Sequence, residues 1–344
     1  MIRAIHIAMF TAGLIPTAVA GAQTPPAAPT AAGAEADRSG SPPAFRPRPA
    51  FKGKWNGPTK VIIPGPGPRP GQSMADYFAN LVSGDRKPIK RHVLVLGGSR
   101  GFHHDSVTSA MASIFQSGKS TGWWDAEFAT DYRLVNAGGG QKMNAGFQPK
   151  GLKDFDAVVV AGASGDWGLT DEQKAALTSF VRDEGKGLVV IHAGLNANSN
   201  WQDYIDMIGG EMTGHPFNTP DKVLVPFKLI NESPDFPAVS HLPRSFRKQD
   251  ELYVIKNWDR NGVNVLLRLD TSDLDTKSIE SQLPPDLDIP VAWTKRYGKG
   301  RVFVSSIGHH AEAFDYPDVV RMYAEAVKWS LGLTDGDERP HARR

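Results

Sequence analysis

Residues 92–98 read HVLVLGG, a nearly continuous apolar run that ends in two glycines. Runs of this kind are typical of parallel strands that are buried on both faces of a sheet. The pattern returns at residues 157–161 (AVVVA), which a glycine-bearing turn follows, and at residues 187–191 (GLVVI). A further short strand is predicted near residues 126–130. The first half of the chain therefore predicts four strands of a parallel sheet.

Helical signals separate these strands. Asp105 can cap a helix that runs to about Gln116. Thr170 and Gln173 have the spacing of a capping box, and the apolar helical face that follows them ends at Gly185. Strands that alternate with helices in this way predict an α/β domain with right-handed crossovers and a doubly wound, mostly parallel sheet.

The second half of the chain has strands of another kind, in which polar and apolar residues alternate. This alternation predicts antiparallel or mixed strands, at residues 223–230, 252–255, 263–269 and 290–294. Residues 297–300 (YGKG) predict a hairpin turn, and residues 318–331 predict a closing amphipathic helix. The sheet is therefore expected to carry an antiparallel or mixed insertion.

The first 22 residues have the features of a secretory signal peptide. Arg3 precedes an apolar run over residues 4–19, and small residues in an A-x-A pattern follow it. The run contains Gly13 and Pro16 and is shorter than the roughly 20 residues that a spanning helix needs. We therefore expect a cleaved signal peptide over residues 1–22, a periplasmic or secreted mature protein, and no stable membrane insertion.

Composition divides the rest of the chain into three parts. Residues 23–89 are rich in Pro, Ala and Gly and predict a linker and N-terminal extension. Residues 90–332 carry the strand and helix signals and predict one folded domain. Residues 333–344 predict a flexible tail, because they are short, polar and terminal.

Cysteine and charge content exclude several functions. The chain has 0 Cys, so disulfides, thiolate metal ligands and a cysteine nucleophile are all ruled out. Its net charge is +2, with both signs interspersed, and no basic block indicates nucleic-acid binding. We therefore expect no nucleic-acid partner; the histidine loops described next indicate a small-molecule partner, and a homo-oligomer is compatible with the sequence.

Histidines mark the loops where chemistry is expected. Ligands of an open parallel sheet bind beyond the carboxyl ends of its strands. Six of the 10 histidines lie in four short segments, three of them at predicted strand ends: FHHDS (102–106), HAG (192–194), GHP (214–216) and GHHAE (308–312). Neighbours in extended chain point in opposite directions, so only one of His103 and His104, and one of His309 and His310, should face the cleft.

These histidines allow more than one chemistry. With Glu251, three or so imidazoles match a divalent metal such as zinc, manganese or iron. The same groups could act without a metal as general acid and base, or each imidazole could simply hydrogen-bond a loop. Trp167 and Trp201 could stack on a sugar ring or instead close the core.

The chain resembles the trehalose-utilisation, or ThuA-like, family over about residues 91–332. The resemblance rests on segments in the family's order: FHHDS, GLVVIHAG, the W-x-x-Y-x-x-x-I-G-G segment that begins at Trp201, GHP, DELY (250–253) and PVAWTKRYGKGRVFVSSIGHH (290–310). It implies a flavodoxin-like fold of the class I glutamine amidotransferase-like superfamily. His192 resembles the nucleophile-elbow position, where an amidotransferase carries cysteine, so glutamine hydrolysis through a thioester is excluded. His310 with Glu312 resembles the remaining triad members.

The resemblance also implies a role in the breakdown of trehalose and other disaccharides, including oxidised, 3-keto derivatives. A ring carbonyl acidifies its neighbouring C–H, so a histidine base with a metal or imidazolium could promote elimination, hydration or isomerisation. We assign catalytic roles to His192, His309 and His310; substrate contacts to His103, Trp167, Trp201 and Tyr253; and metal ligation to His104, His215 and Glu251. Two alternatives stay open: a non-catalytic sugar-binding or assembly module, and a metal-dependent hydrolase.

Overall fold

The computed structural model describes residues 91–138, 150–217, 226–272, 274 and 276–344. The predicted signal peptide and the N-terminal extension (residues 1–89) lie outside the described residues. Within the described ranges, no helix is both long enough and apolar enough to span a bilayer.

Five parallel strands form one half of a nine-stranded sheet. They lie in the order β2-β1-β3-β4-β11, with bounds β1 (Arg91–Leu96), β2 (Trp124–Ala129), β3 (Ala157–Ala161), β4 (Gly187–Ile191) and β11 (Gly300–Ser305). Every residue of β3 and β4 is buried, as the apolar runs predict for strands covered on both faces.

Four antiparallel strands extend the sheet beyond β11, in the order β10-β9-β6-β7. Their bounds are β6 (Pro226–Asn231), β7 (Ser245–Gln249), β9 (Asn264–Asp270) and β10 (Pro290–Tyr297). A separate two-stranded ribbon pairs β5 (Glu211–Gly214) with β8 (Val254–Lys256). The predicted α/β fold with an antiparallel insertion is confirmed, and β5 and β7 are strands that the pattern did not predict.

Helices cover both faces of the sheet, so the predicted doubly wound arrangement is confirmed. One face packs on α1 (Ser106–Thr121) and α4 (Pro317–Ser330), and the other on α2 (Asp171–Arg182) and α3 (Gln202–Ile208). Alternate residues of β1 supply the two cores: Val93 and Val95 face α1, whereas Leu94 packs on the opposite side.

Local signals explain where several elements begin and turn. Thr170 Oγ1 accepts from the Gln173 N–H at 3.3 Å, and the Gln173 side chain accepts from the Thr170 N–H at 3.1 Å, so the predicted capping box is present. Gly298 has φ of +58° in the two-residue turn between β10 and β11, a conformation that favours glycine. Asp105 precedes α1 without capping it; its carboxylate accepts from the Ala311 N–H at 3.1 Å instead.

The C-terminal segment, residues 333–344, was expected to be a flexible tail, but it makes specific contacts with the antiparallel strands. Asn264 donates to the Asp337 carbonyl at 2.7 Å, and Arg268 donates to the Arg344 carbonyl at 2.9 Å. His341 Nε2 lies 3.1 Å from the Val265 carbonyl. The segment therefore packs against β9.

Candidate functional site

The site is built around His192, which follows β4 at the carboxyl edge of the parallel strands. His192 is fully buried and has φ of +45°, a strained conformation for a residue with a side chain. It opens a 3-10 helix, His192–Asn196, in which Gly194 lies against Val160 and Val190. A side chain on Gly194 would come within 2.7 Å of Val190, so glycine lets this sharp turn approach the strands.

The Ser306 carbonyl sets the tautomer of His192. Its oxygen lies 2.6 Å from His192 Nδ1, and a carbonyl can only accept, so Nδ1 carries the proton. In the neutral ring the Nε2 lone pair then points the other way. The Tyr253 hydroxyl lies 2.7 Å from Nε2 and donates to it. His192 is thus oriented with a basic nitrogen toward the interior of the site.

Glu251 and His309 lie next to His192 Nε2. Glu251 Oε2 lies 3.5 Å from His192 Nε2 and 2.9 Å from His309 Nδ1, and the two imidazole nitrogens are 3.2 Å apart. Burial alone would raise the pKa of Glu251. The neighbouring imidazoles of His192 and His309, of which His309 Nδ1 lies within hydrogen-bond distance, outweigh burial and hold this pKa well below its usual range. Glu251 is therefore an anionic carboxylate between two imidazoles.

His104 completes the group from the loop after β1. Its ring centroid lies 4.8 Å from that of His192 and 4.9 Å from that of His309. Burial, with smaller effects of His192 and His309, lowers the pKa of His104 to about 3, so the ring is neutral at physiological pH. No group in the described part of the chain hydrogen-bonds its buried Nδ1, which leaves a nitrogen lone pair or N–H to be satisfied.

The four side chains have the chemistry and spacing of a metal site. Ligand atoms of His104, His192, Glu251 and His309 all lie within 4.8 Å of one another. Three of the pairwise distances are 2.9, 3.2 and 3.5 Å. Ligands bound tetrahedrally to one zinc ion at about 2.1 Å would be roughly 3.4 Å apart. Three imidazoles that can be neutral and one carboxylate anion suit a borderline divalent ion. Little movement of these side chains would be needed to bind it.

Asp250 connects the two loops that carry Glu251 and His309. Its buried carboxylate accepts from the backbone N–H of Gly308 at 3.1 Å, of His309 at 3.0 Å and of Glu251 at 2.9 Å. Lys248 Nζ, also buried, lies 3.9 Å from the same carboxylate. Asp250 therefore fixes the backbone beneath two of the four ligand residues.

The remaining histidines lie around this group. His103 is exposed, so His104 is the member of its pair that faces the cluster. His309, rather than His310, meets the elbow; His310 Nδ1 instead lies 3.6 Å from Asp105 Oδ1, beside Glu312. The loop after β11 therefore places His310 beside these two carboxylates and not in the group of four, and its predicted catalytic role stays a prediction.

His215, expected to be a metal ligand, is also outside the group of four. Its Nδ1 lies 3.6 Å from Glu251 Oε1, whereas His309 meets the other oxygen of that carboxylate, and its side chain is 48% exposed. His215 therefore lies at the rim and contacts the ligand group through Glu251.

The structure places the three predicted substrate aromatics in the protein interior. Trp167 is 1% exposed, stacks on Tyr132 with ring centroids 4.8 Å apart and donates to the Ala163 carbonyl. Trp201 is 7% exposed and stacks on Tyr204. Tyr253 is buried against His192. The expectation that Trp167 and Trp201 stack on a sugar is corrected: both pack in the core, and Tyr253 supports the elbow.

Sequence reasoning missed Asp250 and Ser306 as supports of the site. Asp250 adjoins Glu251 in the DELY segment, and that adjacency was a usable signal. Ser306 acts through its backbone carbonyl, so its residue type carried no information about this contact.

Comparison with protein-family models decides the family. The model described as "Trehalose utilisation", ThuA, matches residues 92–330, which include most of β1, the elbow and all of α4. The chain belongs to this family. Membership associates this ThuA protein with trehalose utilisation or a related sugar function.

The chain is similar in structure to several solved proteins. A putative ThuA-like protein from Bacteroides uniformis has the same fold, with 19% identity and a TM-score of 0.54, covering 75% of this chain and 98% of its own. A putative ThuA-like protein from Parabacteroides merdae has 20% identity and a TM-score of 0.49, covering 71% and 90%. A putative GMP synthase protein from Thermoplasma acidophilum has 8% identity and a TM-score of 0.40, covering 72% and 98%. No curated protein matches the chain.

Proposed function

We propose that this ThuA protein is an enzyme that acts on a carbohydrate derivative with the help of one divalent metal ion. His104, His192, Glu251 and His309 would hold the ion. The observation that carries the proposal is the convergence of their ligand atoms, within 4.8 Å of one another, at the carboxyl edge of the parallel strands. The family's association with sugar utilisation supplies the substrate class.

A bound zinc, manganese or ferrous ion would polarise a carbonyl oxygen or acidify a bound water. The protein's own groups prepare for that chemistry. The Ser306 carbonyl presents His192 in one tautomer, and the anionic Glu251 balances positive charge at the site. Neutral His104 adds a ligand without adding like charge. These features favour reactions in which negative charge develops on a substrate oxygen.

A 3-keto-glycoside suits such a site. Its carbonyl acidifies the adjacent C–H, and removal of that proton places negative charge on the carbonyl oxygen. Elimination of the glycosidic oxygen or isomerisation would follow. Thioester-based glutamine hydrolysis does not apply, because the chain contains 0 Cys and the elbow residue is His192.

The proposal is tested by turnover measurements on purified protein loaded with Zn²⁺, Mn²⁺ or Fe²⁺. Trehalose, 3-keto-trehalose and a 3-keto-glucoside are supplied with and without chelator, and products are identified by mass spectrometry. We expect metal-dependent turnover of the keto sugars and its loss in Glu251→Gln. Turnover that chelation does not reduce would contradict the role of the metal and support acid–base catalysis without it. Sugar binding without any product would support the non-catalytic sugar-binding module instead. Metal-dependent cleavage of ester substrates alone would support a hydrolase.

We also propose that the protein is exported, on the basis of the signal-peptide pattern in residues 1–22. Expression of the full chain in a Gram-negative host, followed by osmotic-shock fractionation and N-terminal sequencing, tests this. We expect a periplasmic protein that begins near Gly21 or Gln23. An intact Met1 on a cytoplasmic protein would contradict export.

A further inference from the structure

Phe102 is an exposed aromatic residue beside the ligand group. It is 66% exposed, although large aromatic side chains usually contribute to the core. Its ring centroid lies 4.7 Å from that of His104. Among the described residues, the other exposed large hydrophobic residue is Phe128 on the edge strand β2, where it contacts Phe115. Phe102 alone of this pair borders the candidate site.

The loop that carries Phe102 is held in place by the neighbouring loop after β3. Ser164 Oγ donates to the Phe102 carbonyl at 2.7 Å, and the Ser164 carbonyl accepts from the Arg100 N–H at 2.8 Å. Gly101 and Gly165 lie in backbone contact, since a Cβ on Gly165 would come within 2.3 Å of the Gly101 nitrogen. An aromatic ring on such a fixed loop can bind a ligand with little loss of backbone entropy.

Polar groups suited to hydroxyl recognition come from the same loop and from the loop after β11, and both loops contribute to the ligand group. The Asp105 side chain is 62% exposed, and its Oδ1 lies 3.6 Å from His310 Nδ1. Asp105 is fixed by the Ala311 N–H, which leaves its second oxygen outside that hydrogen bond. The His310 and His309 ring centroids are 4.4 Å apart, so the pair adjoins the ligand group. A carboxylate can accept from hydroxyls, and an imidazole can donate or accept.

We infer that Phe102, Asp105 and His310 form a subsite for one pyranose ring beside the ligand group of His104, His192, Glu251 and His309. A pyranose has an aliphatic C–H face that packs on an aromatic ring and a hydroxyl rim that hydrogen-bonds polar side chains. The subsite assigns the sugar contact to Phe102 in place of the buried Trp167 and Trp201. This inference rests on the proposed carbohydrate function and specifies where its substrate binds.

Isothermal titration calorimetry of the zinc-loaded protein with trehalose and with 3-keto-trehalose tests the subsite. We expect Phe102→Ala to weaken binding about tenfold and Phe102→Trp to stay within about threefold of wild type, because the stacking surface is kept. Phe128→Ala, an exposed phenylalanine away from the site, is the matched control and should bind as wild type does. Asp105→Asn should weaken binding severalfold.

The outcomes separate the two proposals. Wild-type binding that is unchanged in Phe102→Ala overturns the subsite and leaves the carbohydrate function intact. A zinc-loaded wild type that binds neither sugar overturns both. Equal weakening in Phe102→Ala and Phe128→Ala also overturns the subsite, because it would reflect a general effect of removing exposed rings. Melting temperatures of the variants should match wild type, since neither ring is buried.

Discussion

Replacing Asp250 by asparagine should loosen the ligand group without touching a ligand. Asp250 accepts three backbone N–H bonds, from Glu251, Gly308 and His309, and it is the buried anion next to Lys248. Asparagine keeps one acceptor oxygen and turns an NH₂ group toward at least one backbone donor. A lost hydrogen bond to a charged group costs about 1.5–3 kcal/mol, and the unpaired buried donor adds to that.

We therefore expect Asp250→Asn to lower the free energy of unfolding by about 3 kcal/mol. We also expect it to weaken metal binding roughly 10- to 100-fold, as is typical when a residue that orients ligands is changed. Urea unfolding monitored by tryptophan fluorescence gives the first quantity. Competition with a chromophoric zinc chelator gives the second.

Asp288→Asn is the matched control for this pair of measurements. Asp288 is a buried carboxylate whose ion pair is with Arg260, at 2.5 and 2.6 Å, and not with a member of the ligand group. It should destabilise the fold comparably and leave zinc affinity unchanged. Equal zinc affinities in Asp250→Asn and wild type would refute the role of Asp250 in positioning Glu251 and His309. Wild-type stability of Asp250→Asn would refute the hydrogen bonds themselves.

Three further perturbations test other parts of the structure. Burial lowers the pKa of His241 from 6.5 to about 4 in the folded protein. Between these two pH values the unfolded chain therefore binds one proton more than the folded chain. The free energy of unfolding should therefore fall as the pH is lowered from about 6.5 to about 4, and His241→Gln should lose about 2 kcal/mol less of it than wild type does. Identical pH profiles of the two proteins in urea unfolding would contradict this. Deletion of residues 337–344 should cost about 2–3 kcal/mol through the lost contacts of Asn264 and Arg268, whereas an unchanged melting temperature would mean a free tail. Trp167→Ala should cost about 3–5 kcal/mol in calorimetric unfolding, and a loss below about 1 kcal/mol would argue against its place in the core.

The parallel half of the fold was predictable because burial on both faces leaves a plain signature. β3 and β4 are unbroken apolar runs, and the glycine and capping signals around them act locally. β7 was missed for the opposite reason. Its sequence SFRKQ looks solvated, yet Arg247 and Lys248 are buried, with Lys248 Nζ over the Tyr316 ring at 4.1 Å. Such burial depends on partners that are distant in the sequence.

The candidate site was predictable in outline and not in detail. Strand ends brought His104, His192 and His309 together, as the rule for parallel sheets implies. Which histidine of each pair faces the cluster depends on loop dihedrals, and the loop after β11 selects His309. The exposure of Phe102 and the burial of Trp167 depend on packing between loops that are far apart in the chain, which residue type alone does not report.

Metal stoichiometry tests the central claim most directly. Purified wild-type protein is stripped with chelator, titrated with Co²⁺ and followed by its visible absorption, and zinc content is measured after reloading. We predict one ion per chain, with the intensified bands of a low-coordinate cobalt site. Glu251→Gln should lose that ion, while Asp288→Asn should retain it. A wild type that binds no ion, or a Glu251→Gln variant that binds one ion with the wild-type spectrum, would contradict the assignment of His104, His192, Glu251 and His309 as the metal site.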